Sequence, residues 1–273
     1  MSNGQTLKDS DFLKGRTALI TGGFSGIGLA AADKLACCGA SVAVGSRNNS
    51  RSHAEIDTVL ENLARSGQNI FHDRLDVCDV KSVETFVSKA QAALGHIDIL
   101  VNAAGITVEQ GVAGHRDDLW QQIIDTNLTG AFRATRAVLP QMMERGWGRI
   151  INIGSTAATA AWKDNPAYCA SKAGLLGLTR CVALEGAPHG VSCVMVSPTW
   201  VETDLMRKNI AEIAEREGRG RTGEDIVDEI VADNPQHRLI QPDEVAATVV
   251  FLCRDEAFGL SMGNIQVTGG ALW

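Results

Sequence analysis

The chain has 273 residues, 45% of them hydrophobic, enough to bury a large core, and at this length an α/β fold is commonly one domain. A formal net charge of -7 without a concentrated basic face argues against nucleic acid as a partner, and no apolar run approaches the ~18 residues of a membrane span. The polar start MSNGQTLKDSD lacks the apolar centre of a secretory signal, so a cytoplasmic protein acting on small molecules is expected.

Arg16 to Thr21 (RTALIT) reads as a β-strand, and Gly22-Gly23-Phe24-Ser25-Gly26-Ile27-Gly28 follows it before the helical run LAAADKLACCGA. Glycines allow a tight turn and a close approach of backbone to ligand. The free N–H groups where a helix starts attract a pyrophosphate. In this strand–turn–helix setting Gly22, Ser25, Gly26, Ile27 and Gly28 point to dinucleotide binding; the plain alternative is an ordinary βα turn.

A second strand, Val42 to Ser46, ends at Arg47-Asn48. An acid there would hold ribose hydroxyls, whereas an arginine accommodates a 2′-phosphate, so Ser46, Arg47 and Asn48 favour NADP(H) over NAD(H). Arg51 to Ser66 reads as a helix, and the strand Ile70 to Leu75 closes at Asp76-Val77, where an acid at a strand's carboxyl end is placed to hydrogen-bond an adenine. After a helix from Val80 to Leu94, the strand Ile97 to Val101 leads into Asn102-Ala103-Ala104-Gly105, whose small residues let backbone lie against the cofactor.

Leu119 to Asn127 and Ala131 to Arg145 form an interrupted helix with Asn127 near the break, where a polar side chain satisfies freed backbone groups. Arg133, Arg136 and Arg180 read as solvated helix arginines or, alternatively, as a seat for an acidic carrier protein. The strand Arg149 to Ile153 then delivers Gly154-Ser155 to the same sheet edge. Tyr168, the only tyrosine, and Lys172 lie four apart in an Ala/Leu-rich helix and share a face. An ammonium beside a phenol is expected to lower its pKa from ~10, as a proton donor and acceptor near neutral pH requires.

The strand Val191 to Val196 ends in Ser197-Pro198-Thr199-Trp200-Val201-Glu202-Thr203. The charged segment 204–240 fits surface helices and a substrate lid, and Trp162 and Trp200 either wall a substrate pocket or pack in the core. Pro242 opens a helix to Cys253, and Gly263 to Gly270 holds a last strand. The alternation implies an α/β protein: a Rossmann-type, doubly wound parallel sheet of about seven strands with helices on both faces, one domain over 1–273. Seven cysteines, neither paired as CxxC nor set beside histidines, suggest no disulfide framework and no metal site.

TGGFSGIG, the LDV of Leu75 to Val77, NAAG, Asn127, Ser155 and Tyr168-xxx-Lys172 occur in the order that resembles the short-chain dehydrogenase/reductase family, over roughly residues 13–271. The resemblance implies that Gly22, Gly26 and Gly28 line the pyrophosphate turn, that Asp76 binds adenine, and that Asn102, Ala103 and Gly105 support the adenosine side. Pro198, Val201 and Thr203 would meet the nicotinamide half, with Thr199 where the family usually has glycine. Tyr168 would move the proton, Lys172 would tune it and hold the nicotinamide ribose, Ser155 would bind the substrate oxygen, and Asn127 would hold a water linking Lys172 to solvent. The implied activity is NADP(H)-dependent interconversion of a ketone and a secondary alcohol. Alternatives are a catalytically inactive dinucleotide sensor and an NAD-preferring sugar, polyol or hydroxy-acid dehydrogenase. The VTGG near the C-terminus implies a homotetramer. The substrate class stays open between 3-oxoacyl thioesters, sugars, polyols and hydroxy acids.

Overall fold

A computed structural model of the chain describes residues 11–47, 53–218 and 220–271, without the side chains of 53–56. Asn48, expected beside the cofactor, lies outside the described residues. Strands β1 (Thr17–Thr21), β2 (Ser41–Ser46), β3 (Ile70–Arg74), β4 (Ile99–Asn102), β5 (Gly148–Ile153), β6 (Val191–Pro198) and β7 (Asn264–Val267) form one parallel sheet in the order β3-β2-β1-β4-β5-β6-β7. The connecting helices are α1 (Gly26–Cys37), α2 (His53–Ala64), α3 (Val80–Leu94), α4 (Asp117–Ile124), α5 (Gly130–Arg145), α6 (Pro166–Gly186), α7 (Asp204–Glu217), α8 (Gly223–Asp233) and α9 (Pro242–Leu252). This is the doubly wound Rossmann architecture that the alternation implies.

The central strands are buried from end to end, which is why they read as continuous aliphatic runs rather than alternating ones. Their side chains nevertheless divide by parity. Ala18, Ile20, Val42, Val44, Ile99, Val101, Ile151, Val194 and Val196 pack with α1 and α9, while Leu19, Ala43, Leu100, Ile150 and Cys193 pack with α3, α5 and α6. On the first face the small Ala31 and Ala32 of α1 lie in one core with Val245, Ala246 and Val249 of α9. Each large aliphatic so buried contributes roughly 1.5–3 kcal/mol, which makes the sheet a rigid platform for its loops.

Two boundaries differ from expectation for visible reasons. Asp98 is not part of β4, because its carboxylate accepts from the Thr17 N–H at 3.0 Å and from Arg16 at 3.1 Å, tying the lower ends of β1 and β4 together. β6 continues past Val196 to Pro198 because β7 pairs beside it, with Pro198 opposite Val267.

Between α4 and α5 the helix widens into a π turn, Asp125–Thr129, at the break foreseen near Asn127. The Thr126 hydroxyl donates to the Gln122 carbonyl at 2.9 Å. Gly130 follows because a Cβ there would stand 2.7 Å from Val77 Cγ2, so only glycine lets α5 approach the loop after β3. The strand order reverses between β1 and β4, and the loops leaving their carboxyl ends part to form a cleft.

Candidate active site

The first part of the cleft, a cavity of about 550 Å³, opens at the start of α1. Gly22 has φ 69°, and a Cβ on it would lie 2.9 Å from Ala104 N; a Cβ on Gly28 would lie 2.4 Å from the Gly22 carbonyl oxygen. Bare backbone is therefore required to thread the turn between α1 and the loop after β4. Ser25 makes no side-chain cap and the first turn of α1 carries no acid, which leaves its N–H groups and the positive end of the helix facing the cavity. An anionic diphosphate suits such a wall. Gly22, Ser25, Gly26, Ile27, Gly28, Ser46, Arg47, Val77, Ala103, Gly105 and Thr203 all line it.

Two of the expected cofactor residues make hydrogen bonds within the protein. Asp76 lies between Leu75 and Val77, which line the cavity, and its carboxylate accepts from the Cys78 N–H at 3.0 Å and shapes that turn. Asn102 is buried, and its amide donates to Asn152 at 2.8 Å and to Thr135 at 3.2 Å, so the side chain braces β4 against β5 instead of facing the cleft. Arg133 is also not simply solvated: it donates to the Val77 and Cys78 carbonyls at 3.2 and 2.8 Å, holding the same turn from α5.

The second part of the cleft, about 210 Å³, is continuous with the first through Ile27, Ala103, Gly105, Thr203 and Leu205. Ser155, Tyr168 and Lys172 line it together, as do Pro198 and Val201. Ser155 sits past the end of β5, where its hydroxyl accepts from the Ala157 N–H at 3.1 Å. Tyr168 lies in the first turn of α6, a helix set by Asn165 at its cap and Pro166 in its first turn. Lys172, one turn on, is buried, donates to the Ile153 carbonyl at 2.8 Å and has Nζ 5.6 Å from the Tyr168 ring centre.

Burial pushes the Tyr168 phenol upward, and a hydrogen bond with Ser155 only partly offsets it. Burial also lowers the Lys172 ammonium from 10.5 to about 8. The expected lowering of the tyrosine by its lysine is therefore reversed in the chain by itself. Lack of solvation disfavours charge on both groups, and the ammonium points at a carbonyl.

Asn127 is 1% exposed, and its amide makes three hydrogen bonds. It accepts from the Ile106 N–H at 2.9 Å, donates to the Ile106 carbonyl at 2.9 Å and donates to the Ser171 hydroxyl at 3.1 Å. Ser171 in turn donates to the Tyr168 carbonyl at 2.7 Å. These bonds make the amide a three-way fastener of the β4 loop, the π turn and α6.

Trp162 and Trp200 meet edge to face, 6.1 Å between centres, and both wall the cavity, as do Leu205, Met206 and Asn209 from α7. Thr199 lines it with a buried hydroxyl that has no protein partner. Opposite, Glu109 accepts from Arg216 of α7 at 2.6 Å and from Asn165 at 3.3 Å, tying α7 to the loop after β4. Burial raises the Glu109 carboxyl while Arg216 pulls it down. Glu109, Asn165 and Arg216 had not been singled out in the sequence. The Asn-Pro pair before a helix was a readable cap signal, whereas Glu109 lies in an irregular loop and Arg216 among many charged helix residues.

A family model described as short chain dehydrogenase matches residues 16–214. D-beta-hydroxybutyrate dehydrogenase of Cupriavidus necator is 36% identical over 265 residues, 96% of each chain. The 3-oxoacyl-acyl-carrier-protein reductase FabG of Escherichia coli is 35% identical over 257 residues, covering 94% of this chain and 97% of its own. The structure of a variant actinorhodin polyketide ketoreductase with NADPH matches with a TM-score of 0.87 at 35% identity, covering 94% of this chain and 97% of that one. With a glycine-turn cleft and a Ser-Tyr-Lys cluster on one sheet edge, and with relatives alike over almost their whole length, the chain belongs to the short-chain dehydrogenase family of oxidoreductases.

Proposed function

We propose that the protein is an NADP(H)-dependent oxidoreductase that interconverts a ketone and a secondary alcohol, with Tyr168 as the proton donor and acceptor. The observation that carries this reading is the meeting of Ser155, Tyr168 and Lys172 in one cavity continuous with the cleft at the start of α1. The dinucleotide, held along the Gly22–Gly28 turn, supplies the hydride for reduction and takes it in oxidation. Ser155 holds the substrate oxygen and stabilises the charge that grows on it. Tyr168 gives its phenolic proton to that oxygen during reduction and removes it during oxidation. Lys172 supports the phenolate and binds the nicotinamide ribose, and Asn127 acts as a positioning residue by fastening the Ile106 loop to α6.

Arg47 lines the cavity beside Ser46 at the end of β2, with no acid at either position, which supports the 2′-phosphate form; the NADPH-bound neighbour supports it too. Helices α7 and α8 serve as the substrate cover in this reading. Exposed Trp120, Phe132 and Leu184 on α4, α5 and α6 support a homo-oligomer. The intact chemical set favours turnover over a dinucleotide sensor. Tyr168→Phe tests this: cofactor binding, followed by fluorescence of NADPH, is retained and reduction of ketones falls by at least ~10²-fold. Equal turnover in the variant and the parent refutes the mechanism.

A further inference from the structure

Helix α7 carries a polar residue on its inner face. The residues it buries are Met206, Asn209, Ile210 and Ala214, and three of them join Ile226 of α8 in an apolar cluster. Asn209 is the fourth. It is 5% exposed, and its side chain makes no hydrogen bond to any described residue. It lines the cavity that holds Ser155, Tyr168 and Lys172, and its amide is not sealed off from that cavity as the Thr199 hydroxyl is. Both ends of α7 fix its place: the Thr203 hydroxyl accepts from the Met206 N–H at 3.2 Å at the start, and Arg216 donates to Glu109 at 2.6 Å near the end. An apolar side chain is what this face calls for, so a carboxamide here weakens the fold unless something outside the chain meets it. A ligand that fills the cavity strips water from the amide, and one that returns no hydrogen bond leaves a buried donor and acceptor unmet. That penalty falls only on ligands without a matching oxygen, and it is the sharpest means a site has of telling two ligands apart.

We infer that Asn209 is a specificity-determining residue that receives a second oxygen of the substrate, a hydroxyl or a carbonyl, besides the one held by Ser155. The Asn209 N–H group donates to either, and its carbonyl also accepts from a hydroxyl. The inference rests on the oxidoreductase reading above and deepens it: the substrate is an oxygenated ketone, or the matching alcohol, rather than a plain one.

The test compares plain ketones, hydroxy ketones and keto esters of matched chain length, with the second oxygen placed at successive carbons, as NADPH-dependent substrates of the parent, Asn209→Leu and Asn209→Ala. Leucine is close to asparagine in size and there is no bond to a described residue to lose, so the fold is kept; alanine removes the amide without filling its space. In the parent, kcat/KM for the better oxygenated series exceeds that for plain ketones by at least about tenfold, and the series that leads identifies the group. Both substitutions cut this ratio by about tenfold, and Asn209→Leu leaves plain ketones within about threefold of the parent. A residue that only packs α7 lowers all series together and leaves the ratio unchanged. That result, or a parent that reduces plain ketones as well as oxygenated ones, overturns the assignment and leaves the oxidoreductase reading standing. No reduction of any series overturns both.

Discussion

Lys172→Met separates what the site needs from what the fold prefers. In the folded chain the Lys172 ammonium titrates at about 8 instead of 10.5, and burial is the only cause. At about 1.4 kcal/mol for each pH unit, holding that charge inside at pH 7 costs about 3 kcal/mol. Methionine replaces the aliphatic stem without the terminal ammonium, carries no charge and forfeits the bond to the Ile153 carbonyl, a loss of roughly 1–2 kcal/mol. The variant without cofactor is therefore expected to be more stable than the parent at pH 7, by about 1–2 kcal/mol, while turnover is lost. The pH dependence carries the signature. Between about 8 and 10.5 the unfolded lysine holds a proton that the folded one has released, so parent stability rises with pH through that window. Below it the penalty is present in full, and above it the penalty is gone. Paired urea denaturation from pH 7 to 10.5 should show the variant's advantage shrinking to zero or reversing. Curves that stay parallel, or a variant less stable than the parent at pH 7, would refute the reasoning that burial sets the lysine's charge.

Two further outcomes follow from the same geometry. Arg47→Ala weakens NADPH binding by about tenfold or more and leaves NADH nearly unaffected, measured by titration of nucleotide fluorescence; equal effects on both would remove the 2′-phosphate argument. Asn102→Ala lowers stability by about 2–3 kcal/mol through the loss of its bonds to Asn152 and Thr135, while NADPH affinity changes by less than about threefold; a large affinity loss in a stable protein would return Asn102 to the cofactor's side.

The fold was legible because its signals are local. Aliphatic runs such as ALI and IINI are too short for helices and are bounded by turn residues, so they read as buried strands, each followed by a glycine-rich or polar turn at the carboxyl edge. The Tyr168–Lys172 spacing likewise fixes a shared helix face before any tertiary contact is known. What could not be read is where a polar side chain turns once its backbone is placed. Asn102 was expected to serve the ligand, and Asn127 either a water beside it or freed backbone groups at the helix break; each lies where buried backbone and side-chain groups from distant segments need partners, and that demand set the orientation of both. The direction of the Tyr168 shift failed for a related reason: sequence spacing shows a charge nearby but not the loss of water around both groups. The Glu109–Arg216 contact joins residues 107 apart and left no pattern at all.

The π turn at Asp125–Thr129 acts as a phase adjuster between two helices. An α-helix advances about 100° per residue, so one residue added to a turn rotates everything beyond it by that angle. Ahead of the turn, α4 is placed by buried Ile123; beyond it, α5 must aim Ala134, Val138 and Met142 at the sheet and seat Gly130 against Val77. A regular helix in one phase would have to give up either the Asn127 fastening or the α5 core face. The widened turn lets each half keep its own bearing, so the defect in the helix is what allows one continuous segment to serve both the site and the core.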